Sequence, residues 1–475
     1  MLLPRTLFSF RSIPVPHGRI SGRATAGLGP LWLVGCLAAL LAPALWNKYA
    51  LIFYDTGGYA EAVLGMHLVP GRSLFYGLFL WLSSLGWWSF WGPVLVQAMA
   101  TLWLLHLLLR CLALPCGPFP LLLAVSGLTG FTGIAWYTSQ LMPDILVPLV
   151  VLALWLVGFH WPRLRGFERM GVVLIALLGM LAHMSCLALA MGLAMVTLAA
   201  RRLFRAKPLT VHWRASLAVV GGALVLMPLL HLVLTGTAGF TPGGPTFLFG
   251  RLVQDGIAQR WLAEHCPVEG VKLCELRDRL PATADEFLWT GQSPFQDLGG
   301  WQEAEPELKS LTLAAVRAYP GMTLWTTVRS TAEQMIKVAT GDALDEEHLD
   351  ARGFFIDFMP SIAGPFGAAR QQQGQVTRSL FDGLNRIHVP VALGCVVGLL
   401  PMAIWGLRHG RHDLAVLALF VLLAFVGNAF ICGALSNPHD RYQSRLIWLA
   451  PLVIGLFLVV RLERGTPSRS ATLPS

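Results

Sequence analysis

Nine long apolar runs constrain this chain more than any other feature of its sequence. Most are about 20 residues long, which is enough for a helix to cross the roughly 30 Å hydrocarbon core of a bilayer. Only 13% of the 475 residues are charged, against about 25% in a typical soluble domain. The runs predict an all-α polytopic membrane protein, and they cover residues 31–52, 88–109, 118–136, 143–160, 170–200, 215–235, 388–407, 413–434 and 446–461.

The run 170–200 is too long for one ordinary crossing, and its neighbouring loops indicate how it divides. The loops 160–169 and 201–214 are rich in arginine, so both are expected on the cytoplasmic side. Loops on the same side are separated by an even number of crossings. We therefore predict a hairpin of two short helices that turns near residues 182–185, with one long tilted helix as the alternative. The hairpin brings the predicted total to about ten crossings, with both termini inside.

The two ends of the chain carry basic residues without a clear fold signal. Residues 1–29 hold Arg5, Arg11, Arg19 and Arg23 and no acid. We interpret them as a disordered cytoplasmic tail before a retained first helix, because no clear signal-peptide cleavage site follows the apolar run. The predicted organisation is a tail at 1–29, a transmembrane region at 30–235 with a first outer loop at 53–87, an outer domain at 236–385, transmembrane helices at 386–461 and a cytoplasmic tail at 462–475.

The polar segment 236–385 separates the sixth apolar run from the seventh. It holds 19 of the 26 acidic residues and 12 of the 35 basic residues, a net charge of −7, while the rest of the chain carries +16. Its length suits a small domain, and helical patterns occur near 246–264, 303–318 and 323–340. If it lies in an oxidising compartment, Cys266 and Cys274 form a disulfide; two free thiols are the alternative. The net charge of +9 does not indicate nucleic-acid binding, because the basic residues form short clusters between apolar runs.

Four acidic residues outside this segment are predicted at the outer membrane edge: Asp55, Glu61, Asp144 and Asp440. Ionisable groups at such an edge are costly unless they are paired or functional. Ordinary explanations stay open for three of them. Asp55 can belong to a turn, Asp144 can cap the helix that follows Pro143, and Asp440 can pair with a neighbouring arginine.

Basic residues are expected on the same outer face. Arg72 lies in the first outer loop, and Arg441 and Arg445 are four residues apart, hence on one face of a helix. Arginine is disfavoured at an outer boundary by the positive-inside rule, so these residues are expected to compensate a local negative charge. Arginine also suits phosphate oxygens better than lysine does. The charge is therefore Asp440 or a lipid phosphate.

These motifs resemble those of the GT-C superfamily of membrane glycosyltransferases, which includes protein O-mannosyltransferases and lipid A aminoarabinose transferases. The resemblance rests on Tyr54-Asp55-Thr56-Gly57-Gly58-Tyr59, on Gly71-Arg72-Ser73-Leu74-Phe75-Tyr76, on Pro143-Asp144 at a helix start and on Asp440-Arg441-Tyr442 before the last run. The chain departs from the family in having one aspartate in the first loop, with Glu61 six residues later, and no evident acidic metal-binding set. Its outer domain also precedes the last three apolar runs, whereas several such families carry theirs at the C-terminus.

The resemblance implies transfer of a sugar from a polyprenyl-phosphate donor to a hydroxyl of a lipid, glycan or protein acceptor, with inversion at the anomeric carbon. Asp55 would be the catalytic base. The other implied roles are donor binding by Arg72, Arg441, Tyr442 and Arg445, and substrate binding by Tyr59, Glu61, Tyr76, Asp144, His439 and Asp440. A divalent metal is a possible cofactor, and membrane lipids are expected partners.

Two other classes of function fit the same sequence. A transporter or lipid flippase explains many crossings, although such proteins more often place charges near the bilayer centre and show internal repeats. A non-catalytic assembly protein, whose outer segment binds partners, is the third class. For any of them the expected location is a bacterial inner membrane with the large segment in the periplasm.

Overall fold

The computed structural model describes residues 29–203, 210–346 and 349–465. Within these ranges the regular structure is helical without strands, and β-type pairing is confined to two isolated bridges, Leu51 with Gln140 and Val69 with Arg72. The predicted disordered tail at 1–29 lies almost wholly outside the described residues, as does most of the tail at 462–475. The all-α expectation is confirmed for the described chain.

The first part of the chain contains eleven helices among its described residues. Short 3-10 turns at Pro143–Ile145 and Trp161–Arg163 flank α8. The helices are α1 (Gly29–Leu40), α2 (Ala42–Asn47), α3 (Thr56–Leu64), α4 (Leu74–Ser83), α5 (Trp91–Cys111), α6 (Pro118–Phe131), α7 (Ile134–Thr138), α8 (Leu146–His160), α9 (Gly166–Ala182), α10 (Met184–Leu203) and α11 (Trp213–Thr235).

The polar segment and the C-terminal part are also helical. The segment contains α12 (Gly244–Gln254), α13 (Ile257–His265), α14 (Ala284–Trp289), α15 (Pro294–Asp297), α16 (Gly300–Glu303), α17 (Glu305–Ala318), α18 (Pro320–Ile336), α19 (Leu349–Phe358) and α20 (Pro360–Gly367), with 3-10 turns at Lys272–Cys274, Arg277–Arg279 and Gln371–Gln373. The C-terminal part contains α21 (Arg378–Arg408), α22 (His412–Ala429), a π-helical turn at Phe430–Ala434, α23 (Asp440–Ile447) and α24 (Leu449–Gly465).

Seven helical stretches of the described chain are long and apolar enough to cross a membrane: Trp91–Cys111, Pro143–Arg163, Met184–Arg202, Trp213–Thr235, Arg378–Arg408, His412–Ala434 and Asp440–Leu462. The protein is therefore a multi-pass membrane protein. Three shorter apolar helices, Gly29–Leu40, Leu74–Ser83 and Pro118–Phe131, fall below that length. The total of ten crossings remains a prediction.

Two predicted runs become shorter helices in the structure. The run 31–52 holds α1 and α2, and Lys48, in the left-handed region at φ 69°, ends the second. The chain then extends and bonds to another segment, with Leu51 donating to the Ser139 carbonyl at 2.9 Å. The run 118–136 breaks where Thr132 becomes extended. At both places an apolar run in the sequence therefore does not correspond to one continuous helix.

The run 170–200 divides into α9 and α10 at His183, whose backbone is extended. Gly179 of α9 packs against Val150, near the start of α8, whereas Thr197 of α10 packs against Gly158, near its end. The two helices consequently run in opposite directions beside α8, as the hairpin prediction expected. Ser185 stabilises the turn, because its backbone N–H donates a hydrogen bond to His183 Nδ1 at 3.2 Å.

The bundle is built around α8, in which every residue from Leu146 to His160 is buried. It packs against α5, α9, α10, α11 and α22. The predicted outer domain at 236–385 contributes to two cores. Residues between Phe249 and Ala315 form a separate hydrophobic cluster, whereas residues from Val338 to Phe381 join the main cluster of the bundle. The first part of the segment thus packs as a separate unit, and the second part packs against the helix bundle.

Candidate functional site

Asp55 directly precedes α3, and its carboxylate lies between two guanidinium groups. Asp55 Oδ1 accepts a hydrogen bond from Arg72 Nη2 at 2.5 Å, and Oδ2 lies 3.5 Å from Arg441 Nη1. Although Asp55 occupies the N-cap position of α3, its side chain makes no capping hydrogen bond. The carboxylate therefore pairs with two arginines and does not cap α3.

Arg72 reaches Asp55 because the neighbouring backbone leaves space for it. A Cβ atom on Gly58 would lie 2.9 Å from Arg72 Cγ, so a larger residue at Gly58 would displace the arginine. The Arg72 guanidinium also lies 5.2 Å from the ring centroid of Trp289. Trp289 is the last residue of α14. The polar segment 236–385, here called the outer segment, therefore contacts the first loop at this point.

Arg441 lies in the first turn of α23, against the ring of Phe53 at 4.1 Å from its centroid. Its backbone N–H donates to Asp342 Oδ2 at 3.0 Å. The Tyr442 ring lies beside both α23 arginines, 5.0 Å from the Arg441 guanidinium and 5.4 Å from that of Arg445. Residues from the first loop, the outer segment and the last helices therefore converge here.

Arg445 forms a second ion pair, which is closed off from solvent. Its Nη1 lies 3.2 Å from Asp144 Oδ1, and the two side chains are 0% and 1% exposed. Arg445 Nη2 also donates to Ser185 Oγ at 3.1 Å and to Asn428 Oδ1 at 3.2 Å, and Nη1 lies 3.5 Å from His183 Nε2. This burial supports a positioning role for Arg445 and Asp144 in place of the predicted contact with donor or acceptor.

The two predicted tyrosines are likewise buried. Tyr59 is 2% exposed and Tyr76 is fully buried, and their ring centroids lie 5.0 Å apart. The Tyr76 hydroxyl donates to Gln97 Oε1 at 2.8 Å. Both tyrosines therefore pack in the protein interior, and neither side chain is accessible to a substrate.

His439 and Asp440 join the outer segment to the start of α23. His439 Nε2 lies 3.4 Å from Asp285 Oδ2, and Asp440 Oδ1 accepts a hydrogen bond from the Ala339 N–H at 2.8 Å. The contact from His439 lowers the pKa of Asp285, and burial opposes that effect. Asp440 thus does not pair with the arginines beside it, which was the alternative explanation for its presence.

Glu61 is separate from this group. It pairs with His67 at 3.5 Å, and both side chains are 51% exposed. An exposed pair of this kind contributes little to stability. The structure therefore gives no geometric support to its predicted role in substrate binding.

Three residues of the outer segment contribute to the site without having been predicted: Asp285, Trp289 and Asp342. Asp285 and Trp289 are four residues apart on α14, and they contact His439 and Arg72 respectively. One short helix therefore contacts the first loop through Arg72 and the segment that precedes α23 through His439. No local pattern distinguishes these residues from other polar or aromatic residues of the segment.

The predicted disulfide is present in the structure, whereas no residue cluster of the described chain identifies a metal site. The ranges 29–203, 210–346 and 349–465 contain no group of three or more His, Cys, Asp or Glu side chains suited to a metal ion. A divalent metal cofactor therefore remains a prediction. Cys266 and Cys274 are joined as a disulfide, and the other six cysteines are free.

The arrangement has the parts needed to bind a phosphate and to accept a proton side by side. The Asp55, Arg72 and Arg441 side chains are 18%, 16% and 12% exposed, so solvent reaches all three. Comparisons with known proteins add nothing to this geometry, because no protein-family model, curated protein or solved structure was found to match the chain.

Proposed function

We propose that this protein is a membrane glycosyltransferase. It moves a sugar from a polyprenyl-phosphate donor to an acceptor hydroxyl on the outer face of a bacterial inner membrane, with the polar segment in the periplasm. The proposal agrees with the resemblance of its motifs to the GT-C superfamily, and the family assignment is part of the proposal.

One observation carries the proposal: Asp55 lies between Arg72 and Arg441, which come from distant parts of the chain. The neighbouring pair of Arg445 and Asp144 differs, since those side chains are only 0% and 1% exposed. The Asp55 group stays partly exposed. Two arginines around a single accessible carboxylate suit a site whose ligand is itself an anion.

The proposed reaction uses these groups in one displacement. The acceptor oxygen attacks the anomeric carbon, the bond from that carbon to the phosphate oxygen breaks, and polyprenyl phosphate leaves. The acceptor proton passes to Asp55. Arg72 and Arg441 stabilise the charge that develops on the leaving phosphate. A single direct displacement of this kind inverts the anomeric configuration.

Donor binding would also change the state of the base. In the structure, both arginines are engaged by Asp55. A donor phosphate competes for the same guanidinium groups and draws them from the carboxylate. Asp55 is thereby released to accept a hydrogen bond from the acceptor hydroxyl, so that the base becomes available when the donor is in place.

The outer segment supplies a surface for the acceptor. Trp289 is 49% exposed and lies directly beside Arg72. Its ring also packs with Trp301, with centroids 5.4 Å apart, which fixes its orientation. An exposed, rigid aromatic face beside the proposed base suits a saccharide ring, whose apolar C–H face stacks on it.

The test is transfer activity of the purified protein in proteoliposomes that contain polyprenyl-phosphate-linked sugars. We expect Asp55→Asn to lower the rate at least about 100-fold, because it removes the base. Asp278→Asn is the matched control, since Asp278 is 91% exposed and its ion-pair partner is its neighbour Arg277, not Arg72 or Arg441.

Full activity of Asp55→Asn would overturn the assignment of Asp55 as the base. The transporter or flippase alternative makes a different prediction in the same vesicles. It predicts saturable movement of a solute or lipid across the bilayer without any transfer of sugar.

A further inference from the structure

A second group of polar side chains lies at the end of the bundle opposite Asp55. There α8 ends at His160 and α22 begins at His412. A cleft of about 320 Å³ separates the two helix ends, and its polar lining includes His160, Arg163, Thr210, Arg411 and His412. The proposed transferase chemistry makes no use of this cleft.

His160 is the most unusual residue of the cleft. It is only 2% exposed, yet neither ring nitrogen has a hydrogen-bond partner within the described chain. The Nδ1 atom of His412 is also buried and unpartnered there. Buried polar groups in native proteins are nearly always hydrogen-bonded. Three buried ring nitrogens, two from His160 and one from His412, therefore line the cleft without a partner in the described chain, and they suit a polar ligand.

The charges around the cleft determine the sign of that ligand. Arg411 is paired with Asp413, with both contacts at 3.1 Å, so these two charges offset each other. Arg163 donates to the Cys111 carbonyl, which is neutral and leaves its positive charge uncompensated. Among the described lining residues the formal charges consequently sum to +1.

The end of α22 adds to the same effect. This helix has 18 residues. Its Leu414 N–H already donates to Asp413 Oδ1 at 2.9 Å, whereas the N–H groups of His412 and Asp413 lack partners within the helix. They lie at the cleft together with the positive end of the helix dipole, a combination that favours anions. Imidazole, guanidinium and backbone N–H donors together match the oxygens of a phosphate group.

We propose that this cleft binds a phosphate group, with His160, Arg163 and the first turn of α22 as its donors. A phosphate of this kind comes from an anionic lipid headgroup or from free phosphate in solution. Both present the same oxygens to the same donors. The site is independent of the transferase proposal, since it lies at the other end of α8.

The full-length protein in neutral detergent permits a direct test. Binding of inorganic phosphate is measured by calorimetry. Binding of phosphatidylglycerol is measured by native mass spectrometry against phosphatidylcholine. We expect Arg163→Gln and His160→Phe each to weaken binding about tenfold, a change equivalent to the loss of one good polar contact. Arg408→Gln is the control, since it removes an exposed positive charge at the same end of the bundle but outside the cleft.

Each outcome is decisive. Saturable binding of inorganic phosphate, weakened by the cleft variants, assigns the site to a soluble phosphate. Selective binding of phosphatidylglycerol with the same weakening assigns it to a lipid headgroup. Failure to bind either ligand, or an equal loss in Arg408→Gln, overturns the proposal. Arg163→Gln keeps the test valid if His160→Phe does not fold, because Arg163 lies nearer the surface.

Discussion

The carboxylate of Asp55 accepts a 2.5 Å hydrogen bond from Arg72, 17 residues further along the first outer loop. We expect Arg72→Gln to lower kcat/KM for sugar transfer about 100- to 1,000-fold, which is the usual effect of removing a donor to a developing charge. Arg72→Lys restores the charge and should recover part of the loss. The measurement is steady-state transfer, with Arg329→Gln, an exposed arginine of the outer segment, as the control.

Trp289 lies beside Arg72 with half of its surface exposed. Trp289→Ala is expected to raise KM for a saccharide acceptor about fivefold to tenfold while kcat changes little, because a stacking surface contributes binding in ground state and transition state alike. Trp289→Phe should recover much of the affinity. The matched control is Trp325→Ala, since Trp325 is an exposed tryptophan on α18. A fall in kcat with an unchanged KM would contradict the stacking role.

The buried pair of Arg445 and Asp144 makes a prediction about stability. Arg445→Met should lower the free energy of unfolding by about 3–5 kcal/mol, because it leaves the Asp144 charge buried and unpaired. The double variant R445M/D144L should be more stable than Arg445→Met alone. Thermal or denaturant unfolding in detergent measures both values, and a double-mutant cycle isolates the pairwise energy. Strictly additive losses would show that the two charges are not coupled.

The contact between Asp285 and His439 predicts a dependence on acidity. Because this contact lowers the pKa of Asp285 in the folded protein, the ionised carboxylate stabilises the docked segment. That stabilisation is complete above about pH 5 and declines as the pH falls below the ordinary aspartate value of about 3.9. Asp342 lies 3.9 Å from the other nitrogen of His439 and is the second acid that faces this histidine.

Hydrogen exchange of α14 between pH 5 and pH 3 measures this docking. Protection should fall with pH in the unmodified protein, and Asp285→Asn should flatten the profile. The control Asp278→Asn should keep the original slope, because Asp278 is solvated. A profile for Asp285→Asn that retains the original slope would mean that another group controls docking.

The disulfide between Cys266 and Cys274 closes a short loop, with a sequence separation of 8. The chain-entropy model gives about 2.5 kcal/mol for a loop of this length. We expect the double substitution of both cysteines by serine to lower the stability of the cluster formed by α12, α13 and α17, with little effect on the helix bundle. Limited proteolysis of the outer segment under oxidising and reducing conditions measures the effect.

The sequence predicts that Asp55, Arg72 and Arg441 lie close together better than it predicts the partner of each buried residue. Asp55, Arg72 and Arg441 could be placed on one face, because alternating apolar runs and basic loops report the side of each loop. The same reasoning also indicated the turn at His183. It could not show that Arg445 pairs with Asp144, since the two are 301 residues apart and periodicity carries no information on such contacts.

The site residues of the outer segment were even harder to predict from the sequence. Trp289 and Asp285 lie on a helix of six residues, too short to produce a clear amphipathic pattern. Their importance arises from docking against Arg72 and His439, which depends on the packing of a separate core. Likewise, His160 is one of several histidines near basic loops, and only its burial distinguishes it.

The division of the polar segment between two hydrophobic cores has a consequence for the passage of large ligands. Asp55 and its arginines lie at the boundary where one core ends and the other begins, crossed by the contacts of α14. Because the two cores pack separately, we expect the cluster between Phe249 and Ala315 to tilt at this boundary while each core keeps its own packing. In the proposed reaction, such a tilt would let a donor with a long isoprenoid tail and a bulky acceptor enter from opposite edges of the opening without any helix of the bundle unwinding.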